Sequence, residues 1–238
     1  MKLARVCVGL SSLALALLIL SGALTRLGVV HFRTGLLLFA GALLCAIAAF
    51  TVAVVALIVP KLRGANHRSL MLGLAMSLAA IAGPAVFVQK ARGVPAIHDI
   101  STDTDNPPAF VEVIPLRQAA GATNPPEYPG AAVAAEQKKA YPALAPLDLS
   151  LPAPEAFKKA LAGARAMGWD VVSEQPGEGR IEATDTTAWF GFKDDIVIRV
   201  AATASGSRID VRSKSRVGRS DVGKNAARIS GYLARLRP

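Results

Sequence analysis

The first 92 residues contain no aspartate and no glutamate, and that absence says more than any motif in the chain. Insertion of an acid at mid-membrane costs ~2.5–3.5 kcal/mol, so a long acid-free stretch fits a polypeptide that threads lipid. Cysteine is scarce too: Cys7 and Cys45 both lie in apolar runs, leaving the C-terminal half without a thiol for a disulfide. Histidine is limited to His31, His67 and His98, so the region from Pro154 onward has neither His nor Cys. This excludes Ser-His-Asp and Cys-His nucleophilic sites there, and His- or Cys-based zinc. No Gly-x-Ser-x-Gly elbow, phosphate loop or dinucleotide fingerprint occurs. The most basic stretch, Arg208–Arg237, carries nine Lys/Arg but a single aromatic, Tyr232. It lacks the stacking platforms of a nucleic-acid binder.

The net charge of +10 is unevenly held. Residues 1–92 carry nine Lys/Arg, whereas residues 93–238 balance eighteen against all seventeen acids. The high pI therefore comes from cations that flank apolar spans. Three such spans occur, at about 6–24, 35–59 and 69–88. Each supplies the roughly 20 apolar residues that cross a hydrocarbon core. The first has a competing reading, because a basic start and Ser21-Gly22-Ala23 also resemble a cleaved secretory signal. With a cytoplasmic N-terminus the inner segments hold Lys2, Arg5, Lys61, Arg63 and Arg68 against Arg26, Arg33, Lys90 and Arg92 outside. That bias, five to four, places the C-terminal domain across the membrane. Cleavage of the first span leads to the same side.

Residues 93–153 read as a Pro/Ala-rich linker. Eleven of the fifteen prolines fall in Gly93–Pro154, and Asn-Pro-Pro occurs twice, at Asn106–Pro108 and Asn124–Pro126. Proline removes amide donors and fixes φ, which predicts an extended tether with a few docked pieces. Residues 154–238 predict a small α+β domain: a helix, a four-stranded antiparallel sheet and a closing helix. Phe157, Leu161 and Ala164 mark the first helix and Gly168 ends it. Strands follow over Trp169–Glu174, Arg180–Thr187 continuing into Trp189–Phe192, Ile196–Ala204 and Arg208–Val217. Lys193-Asp194-Asp195 serves as a turn and Ser205-Gly206 as a two-residue hairpin loop. Ser220 or Asp221 caps a last helix with Val222, Ala226, Ile229, Leu233 and Leu236 on one face. That register sets Arg199 opposite Arg212 on a polar face, shared with Glu182 on the neighbouring strand.

Candidate site residues follow from these faces. Arg199, Arg212 and Arg216 form a cationic group that Glu182, Asp194, Asp195 or Asp221 can bridge internally, or that an anionic lipid or other polyanion can meet. Ser213 and Ser215, on the covered face, need buried partners, which Asn225 or Arg228 can provide. The alternative there is a small anion site built from Arg212, Ser213, Arg216 and the start of the last helix. Asp194, Asp195 and Glu182 could also act as acid, base or metal ligand in a carboxylate-dependent hydrolase. The leading expectation is a non-enzymatic module with no cofactor and no metal. Its partners are the bilayer and an envelope protein, anionic lipid or polysaccharide, and nucleic acid is not among them.

Several stretches carry a resemblance. Ile181-Glu182-Ala183-Thr184, the run Trp189–Asp195, Arg199-Val200 and the run Arg212–Asn225 are similar to the domain of unknown function 1499 family, DUF1499. So are His98–Asp103 and Asn106–Phe110. The likeness spans about Ile97 to Leu236, and apolar spans ahead of the domain match the family's membrane-anchored bacterial form. It implies no activity. From the apolar spans and the charge bias, the expectation is an integral membrane protein of the cell envelope, in a bacterial inner membrane with a periplasmic domain.

Overall fold

The computed structural model describes residues 2–63 and 66–237. The chain divides into two compact units, Met1–Lys90 with Ala188–Gly191, and Ala91–Thr187 with Phe192–Pro238.

The first unit is built from α1 (Lys2–Arg26), α2 (Phe32–Ile58), the single turn α3 (Pro60–Arg63) and α4 (His67–Arg92). All three long helices are long and apolar enough to cross a membrane. Their buried positions repeat every three or four residues: Ala4, Cys7, Ser11, Ala14, Leu18 and Ser21 on α1, Ala42, Ala46, Ala49, Ala53 and Ala56 on α2, and Leu70, Gly73, Ser77, Ala80 and Pro84 on α4. In lipid there is no hydrophobic drive between helices, so close contact depends on small side chains at such positions. Gly73 shows why: a Cβ there would run into Cys7 Sγ. Ser11 Oγ lies 2.8 Å from the carbonyl oxygens of both Cys7 and Gly73, tying α1 to α4. Large apolar residues such as Leu13, Ile19, Leu37, Leu44 and Leu72 point outward instead.

The second unit holds β1 (Asp99–Ser101), α5 (Val113–Ala119), α6 (Ala131–Ala140), β2 (Leu147–Leu149), α7 (Ala153–Ala166), β3 (Asp170–Gln175), β4 (Arg180–Thr186), β5 (Lys193–Thr203), β6 (Gly206–Ser215) and α8 (Lys224–Leu236). The sheet has six strands, not the expected four. Its order is β1-β6-β5-β4-β3, and β2 also pairs with β6. Every pairing is antiparallel. The two extra strands come from residues 93–153, the stretch expected as a tether. They escaped notice because three-residue strands between prolines carry no alternation to read.

The β5–β6 hairpin closes on Ala204-Ser205, with Thr203 opposite Gly206. Its register is therefore two residues away from the expected one. Arg199 faces Asp210, and Arg212 faces Val197. The like-charge opposition disappears, while each side chain keeps its face because the shift is even. Gly206 is needed for another reason than the turn: a Cβ there would collide with the Leu149 carbonyl of β2. Asp194 and Asp195 lie inside β5 rather than in a turn. Successive residues of a strand point to opposite faces, so these two carboxylates are divided between them.

One face is covered by α7 and α8. Phe157, Ala160 and Ala164 of α7 and Ile229, Tyr232 and Leu233 of α8 pack on Ile181, Ala183, Ile196, Ile198, Ile209 and Val211. Tyr232 Oη donates to the Ala160 carbonyl at 2.8 Å, and its ring stacks on Trp169 at 5.0 Å. The other face is covered by segment 103–137, whose apolar share is small: Phe110 and Val113 on Val197.

Candidate functional site

Beneath segment 103–137 lies a layer of buried charge. Arg212, 2 % exposed, is its centre. Its Nε and Nη2 donate to the two carboxylate oxygens of Asp99 at 2.9 and 2.8 Å, a fork-to-fork pair. Its remaining donors reach the carbonyls of Pro108 (3.1 Å) and Pro126 (2.8 Å). These are the last prolines of the two Asn-Pro-Pro repeats. The aromatic two residues beyond each, Phe110 and Tyr128, holds its ring over the guanidinium, at 4.7 and 5.4 Å. Two copies of Asn-Pro-Pro-x-aromatic thus clamp one arginine. The prolines suit the task, since they offer carbonyls and have no N–H of their own to satisfy.

Lys214 joins Asp99 at 2.9 Å and donates to the Glu127 carbonyl at 2.6 Å. Burial pulls its pKa down, partly opposed by Asp99. Asp195 is held by Arg117 at 2.6 Å, Arg216 at 2.7 Å and the Thr184 hydroxyl at 2.8 Å. Burial also lowers Arg117, with Asp195 opposing. Glu182 accepts the backbone amides of Val111, Glu112 and Val113 at 3.0–3.2 Å and pairs with Arg180. Arg199 bridges Asp210 at 2.9 Å and Asp103 at 3.1 Å. Burial works against the charge on Asp103, but the amides of Asn106 and Asp105 and the Arg199 guanidinium outweigh it and hold the carboxyl below its usual value.

The remaining expected residues gather on the opposite face, at the start of α8. Ser213 Oγ donates to Asn225 Oδ1 at 2.7 Å, and Asn225 Nδ2 donates to Ser215 Oγ at 3.1 Å. Arg228 donates to Asp185 at 2.7 Å, Asp194 at 2.6 Å and Ser213 Oγ at 3.1 Å. Asp221 accepts the amides of Gly223 and Asn225 at 2.7 and 3.1 Å, so the anion at this helix start is the chain's own carboxylate. Burial raises the Asp221 pKa despite those amides.

The expected group is therefore two clusters on opposite sides of the sheet. Glu182, Asp195, Arg199, Arg212 and Arg216 belong to the layer under segment 103–137. Asp194, Ser213, Ser215, Asp221, Asn225 and Arg228 form the helix-to-sheet clamp. Carboxylate chemistry would need two of Asp194, Asp195 and Glu182 at one pocket, yet each is engaged by its own cations or amides. Among the described residues no His/Cys/Asp/Glu group is arranged to hold a metal. Asp99, Arg117, Lys214, Phe110 and Tyr128 were not among the expected site residues; Asp99, Phe110 and Lys214 lay in the stretches that carry the resemblance, and the repeated Asn-Pro-Pro with its following aromatic marked Phe110 and Tyr128.

The part of the layer around Asp99 and Asp195 is unbalanced, whereas Glu182 and Asp210, also buried, are matched by Arg180 and Arg199. Arg117, Arg212, Lys214 and Arg216 surround only Asp99 and Asp195, and carbonyl oxygens absorb the excess. Arg117 Nε and Tyr128 Oη are buried with no hydrogen-bond partner among the described residues. Burial and the Asp99 charge push the Tyr128 phenol up to about 12. Asp99 and Asn124, whose carbonyl takes Arg117, also line a surface cleft of about 240 Å³. Ile97, Pro129 and Val133 give it apolar walls, and His98 and Arg219 its polar ones. Arg219 is exposed, and among the described residues it forms no ion pair.

No curated protein and no solved structure shows significant similarity to the chain. A family model does match, over residues 99–236, described as a protein of unknown function. The matched region opens on the Asp99 that Arg212 grips and closes within α8, so it takes in the sheet, its helices and the segment that covers the charged layer. It spans more than half of the chain, and the protein belongs to the DUF1499 family.

Proposed function

We propose that this protein is a membrane-anchored binding module, without chemistry of its own, that takes an anionic group into the cleft between residues 96–99, 124–133 and 218–219. The observation that carries this reading is the local cation excess behind that cleft: four buried cations share Asp99 and Asp195, adjoining a mouth where Arg219 has no ion pair among the described residues. Asp99, the one carboxylate in the lining, is already paired with Arg212 and Lys214, so Arg219 and the cations behind the wall set the field at the mouth. Arg212 and Arg216, read as part of a binding face from the sequence, then act from behind, as a source of the field. The apolar walls favour an anion with a small hydrocarbon part over a fully hydrated one. The setting is the cell envelope, with the domain on the periplasmic side of a bacterial inner membrane and a lipid, polysaccharide or protein as the source of the anion.

The test uses the full chain in detergent micelles, titrated with inorganic phosphate, hexanoate and phosphatidylglycerol micelles while the His98 and Arg219 resonances are followed. Saturable binding should weaken about fivefold in Arg219→Ala, the ~1 kcal/mol of a single partly exposed ion contact. Equal binding of neutral hexanol and hexanoate would overturn the anionic reading. Binding that ignores Arg219→Ala would remove the cleft.

A further inference from the structure

The three long apolar helices carry no tryptophan or tyrosine of their own, the two residue types that membrane proteins place at the headgroup level. One segment from far along the sequence joins their unit, Ala188–Gly191, the tip of the β4–β5 connection. Within that unit the Trp189 indole packs on the backbone of α1 at Gly22, where a Cβ would collide with the ring. The Phe190 ring meets Phe39 of α2 edge-on at 6.1 Å, and Arg26 Nη1 donates to the Ala188 carbonyl at 3.1 Å.

Depth follows from the helix. Gly22 lies four residues before Arg26, the last residue of α1, which is about 6 Å at 1.5 Å per residue. The cation marks where the span meets the polar zone, so the indole sits one turn inside it. Trp189 is nevertheless 51 % exposed, unusual for the larger of two aromatics in a chain where the other tryptophan, Trp169, is 6 % exposed. An amphipathic ring one turn inside a terminal cation, with half its surface outward, has the position of a headgroup-level anchor.

We infer that the Ala188–Gly191 tip is a lipid-binding element: Trp189 lies in the interfacial layer of the leaflet at the α1 C-terminus, with the nitrogen side of its indole on Gly22 and the exposed remainder of the ring toward lipid. The β4–β5 connection thus supplies from outside the helices the aromatic belt they lack.

The chain has two tryptophans, so bromolipid quenching reads the idea directly. The full chain is reconstituted in phosphatidylcholine vesicles carrying bromines at shallow or at deep acyl positions. The expected result is quenching that is stronger with shallow bromines and is lost in Trp189→Phe, while Trp169 emission persists. The inference is overturned by an unquenched wild type, by quenching that survives Trp189→Phe, or by stronger quenching from deep bromines. An unshifted emission maximum for the buried Trp169 in the variant shows that the sheet domain is still folded, so a loss cannot be ascribed to unfolding.

Discussion

The unbalanced charged layer makes a prediction that depends on sign. Removing one member of a buried ion pair costs about 3–5 kcal/mol, because the survivor is left buried and uncompensated. In this layer the two signs are not equivalent. Asp99→Asn leaves Arg212 and Lys214 without their shared carboxylate and Asp195 as the one anion among four cations. It should fall at the upper end, about 5 kcal/mol. Arg212→Met also loses two carbonyl contacts and the stack between Phe110 and Tyr128, but it leaves Asp99 paired with Lys214 at 2.9 Å. It should cost about 3 kcal/mol. Lys214→Met removes a cation from the surplus and leaves the Asp99–Arg212 fork intact, so it should cost least, about 1 kcal/mol or below. For a domain near 140 residues, ~1 kcal/mol moves the midpoint by roughly 4 °C, so these variants should lie about 20, 12 and 4 °C below wild type. Thermal unfolding of the full chain in detergent, followed through Trp169 emission, measures the order. If Lys214→Met proves as damaging as Asp99→Asn, the positive surplus is not real and the argument for an anion at the neighbouring cleft falls with it.

Three further outcomes follow. Glu182→Gln should cost about 2–3 kcal/mol and selectively abolish hydrogen-exchange protection at the amides of Val111, Glu112 and Val113, since a neutral side chain cannot serve all three with Arg180; protection that persists would show those amides to be held otherwise. The Asp103 carboxyl, depressed in the fold, contributes stability that is complete above its unfolded pKa and is lost as pH falls through its folded one. Arg199→Ala should raise its pKa and bring that acid loss to higher pH, seen in a carbon-detected titration; an unmoved pKa would exclude Arg199 as a cause. Ser213→Ala should cost about 1–2 kcal/mol by stripping a partner from Asn225 and Arg228, whereas Ser215→Ala, which loses one contact to Asn225, should cost about half as much, with calorimetry as the check.

The membrane region was legible because lipid imposes one demand, a long apolar run without acids, and composition displays it. The two-helix face was also legible: Ile229, Leu233 and Leu236 recur at helical spacing, and Ser213, buried beside them, had to find a partner and found Asn225. The polar face was not. From the sequence Arg199 and Arg212 share a polar face, bridged internally by acids or met by an anion, and nothing there says that another segment covers it. Segment 103–137 buries Arg212 and partly covers Arg199, and it is held by side-chain contacts to backbone carbonyls and amides that any residue type can supply. Pro108, Pro126 and Glu127 bind through main-chain oxygens, so nothing in their identity announces the contact. The register error had a local origin: Gly206 was assigned to the turn, but its lack of a Cβ serves the close pass of Leu149.

The position of β6 has a consequence for how the domain is born. Asp99 and Arg212 are 113 residues apart, and both β1 and β2 pair with β6. At about 5–20 residues per second, a ribosome needs roughly 6–20 s to deliver the second partner after the first. Throughout that interval residues 99–149 have no strand to join, so the earliest-made third of the domain is the last to be protected. A protease acting during synthesis should cut there, and a truncation just before β6 should leave the whole leading portion open to digestion.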